Sequence, residues 1–126
     1  MTAIWWIRRD IRLSDNPTLQ AALQNGTVIP VFILDPHLLA LTPVRRQNFM
    51  FEGLRLLEAQ LKKRGSGLVI RSGNPRDVLK LLAAESGALA IFAEEDFTPY
   101  ARSRDAQIAK SLPLRLVHGQ TANHPL

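Results

Sequence analysis

At 126 residues the chain has the length of one domain, and a chain of that size buries roughly two-thirds of its unfolded surface. Hydrophobic residues make up 46%, which favours a globular chain over disorder, and the lack of any cysteine excludes disulfides, thiolate metal sites and cysteine nucleophiles together. Sixteen Lys+Arg against eleven Asp+Glu leave +5 at pH 7, but the cations are scattered, so the surplus reads as a solvated surface rather than a nucleic-acid patch.

The first predicted element is an apolar strand from Ala3 to Ile7 that runs into Arg8-Arg9-Asp10-Ile11-Arg12. Asn16 can cap a helix with its side-chain oxygen, and Pro17 suits the first helical position, where no amide hydrogen is needed. That helix, Pro17 to Gln24, stops at Asn25-Gly26. A second strand, Val28 to Leu34, contains Pro30, which must lie near its start or at a bulge because it cannot donate to a ladder. Asp35-Pro36 then reads as a turn initiator. Arg46 to Lys63 carries Met50, Leu54, Leu57 and Leu61 at helical spacing, and Lys62-Lys63-Arg64 complements the negative end of that helix.

A third strand is expected at Leu68 to Ile70. Asn74 caps a helix from Pro75 to Ser86, with Val78, Leu81 and Leu82 inward and Gly87 past its end. Leu89 to Ala93 is the fourth strand, Thr98 caps a helix from Pro99 to Ser111 with Arg102 and Arg104 on its exposed part, and Leu114 to Val117 is the fifth strand. His118 to Leu126 carries no clear element. Trp5 and Trp6 point to opposite faces of their strand and read as packing residues. The strands are short and mostly not alternating, as expected when both faces are covered. Right-handed crossovers then leave one simple solution: an α/β fold, a five-stranded parallel doubly wound (Rossmann-like) sheet with helices on both faces.

No apolar run approaches the roughly 18 residues of a membrane span. Nor does the N-terminus carry a basic region followed by a long apolar stretch, so the expected location is cytoplasmic.

In such a sheet the loops after the strands share one edge, and the crevice where strand order reverses is the default ligand site. Arg8, Arg9 and Asp10 follow strand one, Asp35 follows strand two, Arg71 strand three, and Glu94-Glu95-Asp96 strand four. The bland alternative for each charge is pairing that holds the loops together. Clustered carboxylates admit a magnesium site, but the arginines beside them can neutralise the acids without a metal. The chain has no phosphate-binding Gly-x-x-x-x-Gly-Lys-Ser/Thr, no dinucleotide fingerprint opening a helix, no Gly-x-Ser-x-Gly and no zinc spacing among His37, His118 and His124. By itself it makes no case for an enzyme.

Four segments in register resemble the DNA photolyase/cryptochrome family: Trp6-Ile7-Arg8-Arg9-Asp10-Ile11-Arg12-Leu13-Ser14-Asp15-Asn16-Pro17, Val31-Phe32-Ile33-Leu34-Asp35-Pro36, Arg46-x-x-Phe49-x-x-Glu52-Gly53-Leu54, and Asp96-Phe97-Thr98-Pro99-Tyr100-Ala101-Arg102-Ser103-Arg104-Asp105. The resemblance covers the family's N-terminal α/β domain, residues 1–126 here. The helical domain that carries FAD and splits pyrimidine dimers in that family has no counterpart in these residues. The resemblance implies a domain of a light-driven deoxyribodipyrimidine photo-lyase that holds a light-harvesting antenna chromophore and is not catalytic by itself.

Carried over residue by residue, the implied contacts are Arg9, Asp10, Phe32, Leu34 and Asp35. Arg46, Phe49 and Met50 on the long helix, with Glu94, Glu95 and Asp96 after strand four, complete the wall. Members that hold folate between the domains often carry Asn-Glu before Arg-x-Arg-Asp. This chain has Tyr100-Ala101 there, which favours deazaflavin or FMN over folate. The implied partners are the C-terminal FAD-binding domain and, through the full-length protein, damaged DNA.

Two alternatives stay open: a cryptochrome-type photoreceptor fragment, and a stand-alone universal-stress-like nucleotide-binding module. The second lacks the late glycine-rich phosphate loop it would need. A phosphoacceptor receiver domain is rejected, because Arg71-Ser72-Gly73 and His118 occupy the places where its aspartate and lysine belong.

Overall fold

The computed structural model describes residues 1–24 and 26–118. Strand and helix alternate through it as β1 (Thr2–Ile7), α1 (Pro17–Leu23), β2 (Thr27–Leu34), α2 (Pro36–Leu41), α3 (Val44–Lys63), β3 (Val69–Ser72), α4 (Pro75–Ser86), β4 (Ala90–Glu94), α5 (Pro99–Ala109) and β5 (Leu114–Val117). All pairings are parallel, in the order β3-β2-β1-β4-β5. The expected fold class is the observed one. Asn25 of the expected helix stop, and the tail beyond His118 with Gly119, Gln120 and His124, lie outside the described residues.

Two apolar layers close the sheet, as parallel strands require. On one face Trp5, Ile7, Phe32 and Phe92 pack with Ala22 of α1 and with Leu54, Leu57 and Leu61 of α3. On the other, Ile4, Trp6, Val31, Ile33 and Ile91 pack with Leu79 and Leu82 of α4 and Ile108 of α5. Trp5 and Trp6 therefore serve opposite layers, each almost wholly buried. Pro30 is paired with Trp5 of β1, while pairing to β3 starts only at Val31, so its missing N–H falls where no ladder bond is needed.

Four details differ from the sequence expectation. Asp35-Pro36 opens a short helix, α2, rather than a bare turn: the Asp35 carboxylate accepts from the His37 N–H, and Pro36 stands at the first position. α3 starts at Val44, two residues early. In α4 the buried stripe is Pro75, Leu79 and Leu82; Leu81 is out of phase with it and 60% exposed. β3 and β4 run on through Ser72 and Glu94, so Arg71 and Glu94 are strand residues.

Gly87 does end α4 as its spacing predicts, in the left-handed conformation, with its N–H on the Ala83 carbonyl. Among the described residues no helix is long and apolar enough to cross a membrane.

Candidate functional site

Four strand-to-helix junctions use the same device. Asn16-Pro17, Asp35-Pro36, Asn74-Pro75 and Thr98-Pro99 all place a side-chain acceptor on a helix amide and a proline just inside the helix. The carboxyl edge thus carries four capped helix starts. α3 has no side-chain cap, and its first turn holds Arg45 and Arg46, the sign least favoured there. β1 lies between β2 and β4, so the reversal of strand order falls between the ends of β1 and β4.

On the α4/α5 face of this edge lies a buried polar network. Arg8 forks onto Asp105 with contacts of 2.9 and 2.6 Å, and also donates to the Glu94 carbonyl at 3.0 Å. Its guanidinium stacks over Trp6 at 4.2 Å, and that of Arg104 lies over the same ring at 4.8 Å. Arg104 donates to Asp105 at 3.3 Å and stands 3.8 Å from Asp35. The Tyr100 hydroxyl donates to Asp35 at 2.6 Å, and its ring stacks on His37 with centroids 4.3 Å apart. Burial, and then the bond to Asp35, push the Tyr100 hydroxyl up to about 12. Burial lowers the Arg8 guanidinium, with Asp105 opposing the shift.

The α1/α3 side is held by Asp10 and Asn16. Asp10 accepts from the Trp5 indole at 3.2 Å and from the Arg8 N–H at 3.0 Å. Asn16 donates to the carbonyls of Asp10 and Arg12 while its oxygen caps α1 at Leu19. This pins the loop that carries Arg9.

Alternation along β4 puts Glu94 on the same face as Ala90 and Phe92. It is 8% exposed, and its carboxylate has no hydrogen bond or ion pair among the described residues. Burial first, and the nearby Asp10 second, raise it above the usual carboxylate range, with Arg9, Arg12 and Arg8 opposing. Asp96 behaves in the opposite way. Burial works to raise it, but bonds from the Thr98 N–H and hydroxyl, with the charge of Arg9, outweigh burial and hold it low.

Of the residues implied by resemblance, Arg9, Asp10, Glu94 and Asp96 gather around the end of β1 and interact through their charges. Phe32 is buried in the α1/α3 layer, and Leu34 and Met50 pack, partly buried, against that layer. Asp35 is buried but belongs to the Tyr100 network, and Glu95 pairs with His118 at 3.3 Å. Arg46 and Phe49 are exposed on α3, Phe49 at 83%, and Arg46 has no hydrogen bond or ion pair among the described residues. Arg9 is likewise exposed and without a hydrogen bond among them.

Two hollows lie along α5. One of about 230 Å³ is lined by Glu95, Asp96, Ala106, Ala109, Leu114 and Leu116. The other, of about 280 Å³, lies by Asn74, Arg76, Tyr100, Arg104 and Gln107. No group of three or more metal-ligating side chains occurs among the described residues.

Sequence reasoning missed Arg8, Tyr100, Arg104 and Asp105 as one network, and the expected exposure of Arg104 is corrected: its side chain is 9% exposed. The signal was available. Ala101, Asp105 and Ile108 form the buried stripe of α5, and a carboxylate in such a stripe demands a cation from the facing sheet. Arg8 shares the Trp6 face of β1 and meets that demand.

Comparison with known proteins bears directly on this edge. The DNA photolyase family pattern matches residues 3–125. A deoxyribodipyrimidine photo-lyase of Thermus thermophilus is 39% identical over 111 residues, 88% of this chain and 26% of that protein. A class III photolyase structure from Agrobacterium tumefaciens superposes with a TM-score of 0.82 at 31% identity, covering 94% of this chain and 26% of that one. An archaeal photolyase from Sulfolobus tokodaii, described with two FAD molecules and the implication of a novel light-harvesting cofactor, superposes with a TM-score of 0.76 at 31% identity, covering 94% and 29%. The chain spans about a quarter of the length of these relatives.

Proposed function

Because this chain belongs to the DNA photolyase family, we propose that residues 1–126 form the N-terminal α/β domain that holds a light-harvesting chromophore for a C-terminal FAD-binding domain in a deoxyribodipyrimidine photo-lyase. In this reading the chain is not catalytic by itself. Dimer splitting, and contact with damaged DNA, belong to the full-length protein.

The observation that carries the reading is the make-up of the β1–β4 switch point. Arg9, exposed and without a hydrogen bond among the described residues, acts through its charge on Glu94, a residue 8% exposed at the end of β4, on the sheet face whose apolar layer includes Phe32, Leu34 and Met50. Apolar side chains favour a flat ring that leaves water, while the two charges fix its orientation. The residues fit such a guest: Arg9 can donate to a carbonyl or phosphate, and Glu94 can accept from a ring nitrogen. Arg46, Phe49, Glu95 and Asp96 would extend the wall. Asp10 and Asp35 already accept two hydrogen bonds each, so their part is mainly to hold the loops in place. The chromophore, when bound, supplies light absorption and passes its excitation on without covalent chemistry. The Tyr100 hydroxyl is engaged with Asp35 where folate-holding members carry asparagine, which supports deazaflavin or FMN over folate.

The test is an absorption spectrum of the purified protein, then separate titrations with FMN, deazaflavin, folate and ATP. The expected result is binding of FMN or deazaflavin, weakened in Arg9→Ala with a melting temperature nearly unchanged. Tight ATP binding with no response to any chromophore would overturn the proposal in favour of a nucleotide-binding module.

A further inference from the structure

The hollow of about 280 Å³ between α4 and α5 is rich in donors, and among the described residues no carboxylate lines it. The hollow on the other flank of α5 differs, since Glu95, Asp96 and Asp105 take part there. Its two charged members are Arg76 and Arg104. Asp105 and Asp35 hold Arg104 without lining the hollow: Nε donates to Asp105 at 3.3 Å, and Nη1 stands 3.8 Å from Asp35. The Trp6 and Tyr100 rings flank the same guanidinium at 4.8 and 5.4 Å, so its place is fixed before any guest arrives. Arg76 is exposed, and its side chain, like those of Ser103 and Gln107, makes no hydrogen bond or ion pair among the described residues. The Arg76 N–H is already taken by the Asn74 cap at 2.9 Å, so the donors in play are side chains.

We propose that this hollow binds a small phosphate monoester, with Arg76 and Arg104 on its oxygens from two helices and Ser103 and Gln107 donating to the rest. A guanidinium fork matches phosphate geometry, and four donor groups suit three terminal oxygens better than the two of a carboxylate. The volume leaves room beyond the tetrahedral group, and Pro75 and Ile108 offer apolar surface to the carbon skeleton of the ester. Asp105 and Asp35 balance the charges of Arg8 and Arg104, so the net positive charge is that of Arg76. Affinity should therefore depend on Arg76 most. The site lies on the α4/α5 side of the sheet, opposite the α1/α3 layer, and does not rest on the chromophore reading.

The experiment titrates glycerol 3-phosphate, inorganic phosphate and glycerol into wild type, Arg76→Ala, Gln107→Leu and Arg102→Ala by calorimetry at fixed ionic strength. Arg102 is also exposed but lines the other hollow, so its variant removes the same charge without touching the site. Wild type is expected to bind glycerol 3-phosphate, inorganic phosphate less tightly, and glycerol not at all. Arg76→Ala should weaken the monoester about tenfold or more, the loss typical of a bond to a charged group, and Gln107→Leu about threefold. Arg102→Ala should change it by less than about twofold. Arg76 and Gln107 are exposed, so both variants keep the wild-type melting temperature. Inorganic phosphate binding as tightly as the monoester would overturn the ester assignment in favour of the free ion. Failure of wild type to bind either phosphate at about 10 mM, or equal losses in Arg76→Ala and Arg102→Ala, would overturn the site itself. None of the three compounds carries a ring, so these outcomes leave the chromophore reading untouched.

Discussion

Asp105 shows what a single charge costs and secures in this chain. Its carboxylate sits in the buried stripe of α5 and is neutralised by the fork of Arg8, with Arg104 adding a third bond. A buried pair of this kind adds little net stability over a well-packed apolar pair, but breaking it strands the remaining charge. Asp105→Ala should therefore lower the unfolding free energy by about 3–5 kcal/mol in urea titration. A double replacement of Arg8 and Asp105 by Met and Leu should lose far less, and if it loses as much as the single variant, the pair is not the cause.

Glu94 obeys a different rule. With its native pKa raised above the unfolded value, stability falls as pH rises through the window starting at the ordinary carboxylate range, and the penalty persists above that window. Glu94→Gln should melt at a higher temperature than wild type at pH 7, with the difference closing as the pH drops to the acid end of that window. A thermal-melt series across pH reads this directly, and a wild type equal to the variant at every pH would contradict it.

At the scale of elements, the cap–proline pairs decide where helices begin. They are why the starts of α1, α4 and α5 were legible in the sequence to the residue, and the same logic reveals α2 in hindsight. Asp35-Pro36 satisfies both turn and helix-start patterns, and six residues are too few for a periodic stripe to separate them. The start of α3 was less legible because Pro43 offers no side-chain acceptor. Leu81 was assigned to the wrong face because several leucine and valine positions in α4 compete, and only the tertiary stripe through Leu79 decides among them.

The candidate site was legible only in part. Which loops share the edge follows from topology, but which of two adjacent arginines turns inward depends on the strand's phase against α5. Asn16 does more than cap. Asn16→Ala should cost about 2–4 kcal/mol, more than a cap alone, since it also strips a donor from two loop carbonyls. Asn74→Ala, where only the cap is lost, should cost about 1 kcal/mol in the same denaturation assay.

The whole molecule depends on one sheet filled from both sides, with a tryptophan of β1 in each layer. If the layers form one cooperative unit, single-tryptophan variants Trp5→Phe and Trp6→Phe should report unfolding at the same denaturant concentration relative to each variant's circular-dichroism transition. Separated fluorescence and dichroism midpoints in either variant would show that one layer opens before the other. The edge that carries Arg9 and Glu94 belongs to both layers, since β1 and β4 end there, and cooperative unfolding would mean that guest binding stabilises the entire domain.

The place of β1 at the centre of the sheet has a consequence for synthesis. Its first neighbour, β2, leaves the ribosome soon after it, whereas Ala93, opposite Trp6 on the other flank, follows only after α2, α3, β3 and α4. Throughout that interval a strand rich in tryptophan and isoleucine presents an open edge, and Arg8 waits for the aspartate that will receive it. The nascent chain is thus exposed to self-association until β4 docks and α5 closes over it.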